Sequence, residues 1–216
     1  MAPSTGAAAH PLIATFRAAR LIPVIRTSTA ARAATAVAWL QEAGLRIFEI
    51  TMTVPDAPAL IRGLASDPQL LIGAGTVPDA ASARACLDAG ARFLVSPWVE
   101  PSIVGPAHDA GACAMLGALT PSEVRAALAA GADVVKIFPA SSVGGPTHLK
   151  ALRSVFPDVV FCPTGGVDAR NLQDYLDAGA GFVGIGGKLV DEKAIAAGDR
   201  GAVIAAAHAA MGTATA

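Results

Sequence analysis

One tripeptide punctuates the whole chain. Ala43-Gly44-Leu45, Ala89-Gly90-Ala91, Ala110-Gly111-Ala112, Ala130-Gly131-Ala132 and Ala178-Gly179-Ala180 each follow an alanine-rich segment of helical character and precede a short apolar run. Glycine is favoured just past a helix C terminus, where the backbone turns left-handed. Each tripeptide therefore marks a helix that ends and feeds a strand. The apolar runs give eight candidate strands, starting near Leu21, Arg46, Leu70, Arg92, Ala112, Asp133, Val159 and Phe182, at intervals of 20 to 26 residues. Every interval has room for a helix, for example over 30–43 or 121–130. Such alternation implies parallel strands joined by right-handed crossovers. Eight units in 216 residues predict an α/β fold, a single (β/α)8 TIM barrel over 1–216 with loose tails near 1–10 and 212–216. A doubly wound open sheet is the alternative, but its Gly-x-Gly-x-x-Gly fingerprint is missing after the first strand.

Composition removes several function classes. Apolar residues make up 53% of the chain and charged residues 15%, a sparse polar surface that favours many buried strands and an oligomer. No apolar run approaches the ~20 residues of a membrane span, so no membrane partner is expected. The net charge is −1 and no basic stripe appears, which argues against nucleic acid. Cys86, Cys113 and Cys162 are too few and too far apart for a disulfide framework or a zinc knuckle. They fit a reducing cytoplasm, and the first ten residues lack the basic and apolar regions of a secretory signal.

Two residues interrupt strands that otherwise read as buried on both faces. Lys136 lies in Val134-Val135-Lys136-Ile137-Phe138 and Glu49 in Ile47-Phe48-Glu49-Ile50. Lysine is almost never fully buried unless paired. Desolvation lowers the pKa of such an amine, and a neutral amine attacks carbonyls. A lysine snorkelling to the barrel mouth, or a structural ion pair, is the plainer reading of each residue alone. Together, an amine and a carboxylate in separate apolar strands point to carbonyl chemistry with proton transfer. The C-terminal strand ends, where barrels carry their sites, hold further polar residues. Arg26 ends the first run and offers a fork for a substrate carboxylate, with Thr76 and Thr51 or Thr53 in support. Thr164-Gly165-Gly166 and Gly186-Gly187 close the seventh and eighth runs, where barrel loops often bind phosphate through backbone N–H groups. His10, His108, His148 and His208 have no ligand spacing and none falls at a strand end, so neither a metal nor a cofactor is expected.

These residues, with their neighbours, resemble the 2-keto-3-deoxy-6-phosphogluconate (KDPG) aldolase / 4-hydroxy-2-oxoglutarate (KHG) aldolase family. The resemblance covers roughly 21–190. It is carried by Ile22-Pro23-Val24-Ile25-Arg26, Phe48-Glu49-Ile50-Thr51-Met52-Thr53, Ile72-Gly73-Ala74-Gly75-Thr76, Val95-Ser96-Pro97, Leu119-Thr120-Pro121, Val135-Lys136-Ile137-Phe138-Pro139 and Cys162-Pro163-Thr164-Gly165-Gly166. It implies a class I aldolase barrel, usually trimeric, acting on a small 2-keto acid and releasing pyruvate. Lys136 would form the Schiff base and Glu49 would act as general acid/base. Arg26, Thr76 and Thr53 would hold the carboxylate, and Pro97 and Phe138 would line the pocket. Thr164, Gly165, Gly166, Gly186 and Gly187 would hold a distal phosphate.

Three departures from the family pattern stand out. Some members carry an arginine where this chain has Thr53, a role that Arg26 takes over. Many have a serine after the eighth strand where this chain has Gly187, followed by Lys188. Trp98 replaces smaller or polar residues after Ser96-Pro97. An aldolase for the galactonate analogue or for unphosphorylated 2-keto-3-deoxy acids is the alternative substrate reading. A non-catalytic scaffold barrel is the alternative of another class.

Overall fold

The computed structural model describes residues 9–215. Eight strands form one parallel sheet: β1 Leu21–Ile25, β2 Ile47–Thr51, β3 Leu71–Gly75, β4 Phe93–Val95, β5 Cys113–Ala118, β6 Val134–Ile137, β7 Phe161–Pro163 and β8 Val183–Ile185. They pair in the order β7-β6-β5-β4-β3-β2-β1-β8. A single bridge, Thr164 to Gly184, joins the two ends and closes the ring. The open-sheet alternative is thereby excluded. Each strand starts within two residues of the position expected from the sequence.

Between the strands run α2 Ala30–Glu42, α3 Ala57–Ala65, α4 Ala80–Asp88, α5 Val104–Asp109, α6 Pro121–Ala129, α7 Gly145–Val155 and α8 Leu172–Asp177. Side-chain N-caps start several of them: Thr29 accepts from the Arg32 N–H, Asp79 from that of Ser82, and Thr120 forms a capping box with Glu123. The repeated tripeptide ends five. Gly44, Gly90, Gly111, Gly131 and Gly179 all have φ between 66° and 106°. The residue after each donates its N–H to a carbonyl five positions back, as in Leu45 to Leu40 and Ala91 to Cys86, both at 3.0 Å. This is the six-to-one bond of a Schellman motif, and a Cβ would strain each of these turns.

Three helices flank the strand–helix units between β1 and β8. The helix α1, Leu12–Ala19, precedes β1 and inserts Ile13 and Phe16 under the barrel. The Phe16 ring centroid lies 5.2 Å from that of Phe93 and 5.1 Å from that of Phe182. Helix α1 thus seals the N-terminal end. After β8 come α9, Glu192–Ala196, and α10, Arg200–Thr215. The expected loose tails need correction. Residues 1–8 and 216 lie outside the described residues. His10 precedes α1 and is tied to its first turn, its carbonyl accepting the Ile13 N–H at 3.0 Å and its Nδ1 the Leu12 N–H at 3.2 Å. Residues 212–215 are helical, because Val203, Ala207, Ala210 and Ala214 form one buried stripe at helical spacing.

Strand side chains alternate between two cores. Leu21, Ile25, Phe48, Ile50, Ile72, Ala74, Leu94, Val135, Ile137 and Val183 face the helices. Ile22, Ile47, Phe93, Val95, Met115, Val134, Cys162 and Phe182 fill the lower lumen with Phe16. The period of two then fixes which later residues point inward.

Candidate active site

Two positions beyond the lumen residues Ile47 and Val134 stand Glu49 and Lys136. Strands β2 and β6 lie on opposite sides of the ring of eight, so the two long side chains meet across the lumen. Lys136 Nζ is 3.2 Å from Glu49 Oε1, and the residues are 4% and 5% exposed. Such a pair survives burial only because each charge satisfies the other. The neighbouring inward positions are small, which makes the space. A Cβ on Gly75 would overlap Glu49 Oε1, and one on Gly117 would overlap the Pro97 backbone. Cys162 is the β7 partner of Lys136. Burial pushes its thiol up to about 12, against the opposing pull of the Lys136 charge, so Cys162 adds no charge to the lumen.

The next inward layer forms the mouth. Arg26 follows β1 and donates from Nη2 to Thr76 Oγ1 at 3.1 Å. Thr76 holds φ at 55°, a left-handed conformation uncommon for a β-branched residue and of the kind found at functional sites. Thr53 is turned elsewhere: its hydroxyl lies 2.8 Å from that of Thr51, whose own Oγ1 also lies 3.1 Å from the Ile25 carbonyl. The carboxylate group expected from the sequence is therefore split, with Arg26 and Thr76 joined and Thr53 anchored to Thr51. Pro97 is half-buried beside Gly117. The Phe138 ring centroid sits 5.6 Å from Lys136 Nζ, within cation–π range. Trp98 is 46% exposed and donates to Glu100.

Thr164, Gly165 and Gly166 form one continuous loop. Their carbonyls are engaged by the Ala140 N–H, the Ser141 N–H and the Asn171 side chain, at 2.8, 3.1 and 2.9 Å. The N–H groups of Gly165 and Gly166 have no partner among the described residues. With φ of 90° and 78°, these two successive amides make the kind of concavity that holds an anion. Gly186 accepts from the Leu189 and Val190 N–H groups, and Gly187 is exposed with open space around it. Gly187 shares a cleft of about 720 Å³ with Arg26, Arg32 and Lys193. Lys188 lines the other side of its loop with Asp168 and Arg170.

Gly75, Gly117 and Ser141 belong to the site but are absent from the sequence-based set of site residues. Counting by twos along β3 from Leu71 and along β5 from Met115 reaches the two glycines. No sequence signal gives Ser141, whose Oγ occupies the position a Gly166 side chain would take. Among the described residues no group of three or more His, Cys, Asp or Glu is placed to hold a metal, and no helix is long and apolar enough to cross a membrane. All three cysteines are free and buried.

Residues 12–206 match the family model described as KDPG and KHG aldolase. The chain is 39% identical over 186 residues to 2-dehydro-3-deoxy-phosphogluconate aldolase of Pseudomonas aeruginosa, covering 86% of this chain and 83% of that one. It is 38% identical over 182 residues to a probable 2-dehydro-3-deoxy-6-phosphogalactonate aldolase of Rhizobium meliloti, covering 83% and 85%. Among solved structures, KDPG aldolase from Legionella pneumophila, captured with pyruvate as a covalent carbinolamine, superposes with a TM-score of 0.83. The two are 32% identical, over 92% of this chain and 97% of that one.

Proposed function

Because the chain belongs to the KDPG and KHG aldolase family, we propose that it cleaves KDPG to pyruvate and glyceraldehyde 3-phosphate through a Schiff base on Lys136. The observation that carries this reading is the buried amine and carboxylate 3.2 Å apart at the centre of the lumen. Lys136 passes a proton to Glu49, its free amine attacks the C2 ketone, and Glu49 returns that proton to the departing hydroxyl, so that water leaves and an iminium remains. Glu49 takes the proton of the C4 hydroxyl. The C3–C4 bond breaks, its electrons move into the iminium, and the aldehyde departs. Protonation of the resulting enamine and hydrolysis of the imine release pyruvate and restore the amine. Arg26, steadied by Thr76, binds the substrate carboxylate, and Thr53 supports the Thr51 side of the mouth. Pro97 and Phe138 close the pocket around the ketone. The free N–H groups of Gly165 and Gly166 donate to the distal phosphate, with Thr164, Gly186 and Gly187 shaping the same rim. KHG, cleaved to pyruvate and glyoxylate, fits the same chemistry.

A second substrate reading rests on Gly187. It offers no hydroxyl to a phosphate, and Lys188 lies beside Asp168 rather than supplying the missing contact. That favours an unphosphorylated or galactonate-type 2-keto-3-deoxy acid. The exposed Ser141 hydroxyl beside Gly166 weighs the other way, by restoring a donor to the loop. Comparing kcat/KM on phosphorylated and unphosphorylated substrates separates the two. The apolar composition supports an oligomer and the family resemblance a homotrimer, so sedimentation should give three times the 21.5 kDa chain mass. Free buried thiols are compatible with a reducing cytoplasm.

Borohydride reduction in the presence of pyruvate, followed by peptide mass spectrometry, tests the core of the proposal. A reduced pyruvate adduct on Lys136 is expected. Folded protein that yields no adduct would remove the imine mechanism and favour a scaffold role.

A further inference from the structure

At the N-terminal end of the barrel, remote from Lys136, a cavity of about 390 Å³ is lined by Arg17, Arg20 and Arg153 with Val159, Leu176 and Ala180. No acidic residue lines it, and none of the three arginines has a carboxylate partner among the described residues. Arg20 Nη2 donates to the Gln173 side chain at 3.1 Å, and Arg153 Nη1 reaches the Val159 carbonyl at 3.4 Å. Arg20 Nε is buried with no hydrogen-bond partner, an uncommon state for a charged donor.

The backbone is arranged to bring these cations together. A Cβ on Gly179 would fall 2.7 Å from Arg153 Nε, and one on Gly181 would fall 3.8 Å from Arg17 Nε. The missing side chain at Gly179 thus leaves room for the Arg153 guanidinium, while Gly181 makes room mainly for Val160. Arg20 itself holds φ at 62°, a left-handed conformation where glycine is the unstrained choice. The plainer explanation is that Arg17 and Arg153 sit in the last turns of α1 and α7, complementing helix dipoles. The C termini of α1, α7 and α8 meet at this cavity and supply about half a negative charge each, so three guanidiniums leave about one and a half positive charges unbalanced. The left-handed Arg20 backbone is accounted for by its place at the end of α1, but dipole complementation gives no reason for its unpartnered Nε.

We propose that this cavity is a second anion site, which binds the phosphate ester of a small metabolite. The dianionic phosphoryl group matches the unbalanced charge, and guanidinium forks match its oxygens. The volume exceeds that of inorganic phosphate, and Val159, Leu176 and Ala180 give the ester's carbon chain an apolar wall.

The test is calorimetric titration of the full chain with glycerol 3-phosphate at low salt, with inorganic phosphate in a parallel arm. Three variants accompany wild type: Arg17→Gln/Arg153→Gln, the milder Arg17→Glu at an exposed position, and Gly187→Asp, which places a like charge at the barrel mouth. The expected result is a binding event weakened at least about tenfold in both arginine variants and retained in Gly187→Asp. Borohydride trapping of pyruvate on Lys136 should be unchanged in the arginine variants. Binding lost only in Gly187→Asp would assign all phosphate affinity to the mouth and overturn the proposal. Inorganic phosphate binding as tightly as the ester would overturn the ester assignment. A change in sedimentation of either arginine variant, with no loss of affinity, would show that the arginines face a second copy of the chain.

Discussion

The Lys136–Glu49 pair makes a prediction in which stability and activity separate. Both side chains are about 95% buried and satisfy one another at 3.2 Å. Replacing Lys136 with methionine removes the amine but strands the Glu49 carboxylate in an apolar lumen beside Cys162 and Phe138. Breaking a buried pair on one side costs about 3–5 kcal/mol. For a chain of this length each kcal/mol moves Tm by roughly 2–4 °C, so Lys136→Met should lower Tm by about 6–20 °C. Adding Glu49→Leu removes the stranded charge. Replacement of a whole buried pair by apolar residues is neutral or stabilising by about 1–4 kcal/mol. The double variant should therefore melt at or above wild type, while both variants lose cleavage entirely. Urea denaturation with linear extrapolation, run on wild type, both single variants and the double, measures the coupling. A double variant less stable than wild type would refute the claim that the pair is held for chemistry at a cost in stability.

Other consequences are testable individually. Gly75→Ala should push the Glu49 carboxylate away from Lys136 and lower kcat by about 10²–10⁴-fold, the contribution of a positioned acid/base, with the fold intact by circular dichroism. Unchanged turnover would mean that the carboxylate need not be held where it stands. Phe16→Ala should cost about 3–5 kcal/mol in urea denaturation, because the ring is fully buried against Phe93 and Phe182. The Glu123 carboxyl is held below its ordinary 4.5 by the N–H groups of Leu119 and Thr120 and the Thr120 hydroxyl. Its stabilising contribution is complete above pH 4.5 and is lost as pH falls through the lowered folded value. Glu123→Gln should therefore trail wild type by under ~1 kcal/mol at neutral pH, and the gap should narrow in acid unfolding below pH 4.5.

Much of this barrel was legible because its signals are local. A left-handed turn past a helix selects glycine wherever it occurs, so five tripeptides located five helix ends without tertiary information. A lysine and a glutamate inside apolar runs were equally visible, since burial of a charge leaves its mark on one strand at a time. What the runs cannot encode is the partner across the lumen, which depends on ring closure and on the absence of side chains at Gly75 and Gly117. Thr53 was grouped with Arg26 by its strand-end position and by the family resemblance, but its hydroxyl lies against that of Thr51. Helix α1 carries no tripeptide to mark its end: Arg20 takes the left-handed position. The C-terminal 212–215 read as a tail because glycine and threonine are weak helix formers, and burial of Ala210 and Ala214 overrides that preference.

The plug formed by Phe16 has a kinetic meaning for the proposed reaction. A lumen sealed at one end has a single doorway, and reactants and products must queue through it. The ketone half of the substrate is tethered covalently to Lys136, while the aldehyde half is the part nearer the exit. The aldehyde therefore leaves first, and pyruvate follows only once water has entered by the same route to hydrolyse the imine. In the synthetic direction the order reverses, with pyruvate loading ahead of its acceptor. Product inhibition should carry that signature, with pyruvate competitive against the cleaved substrate and the aldehyde mixed.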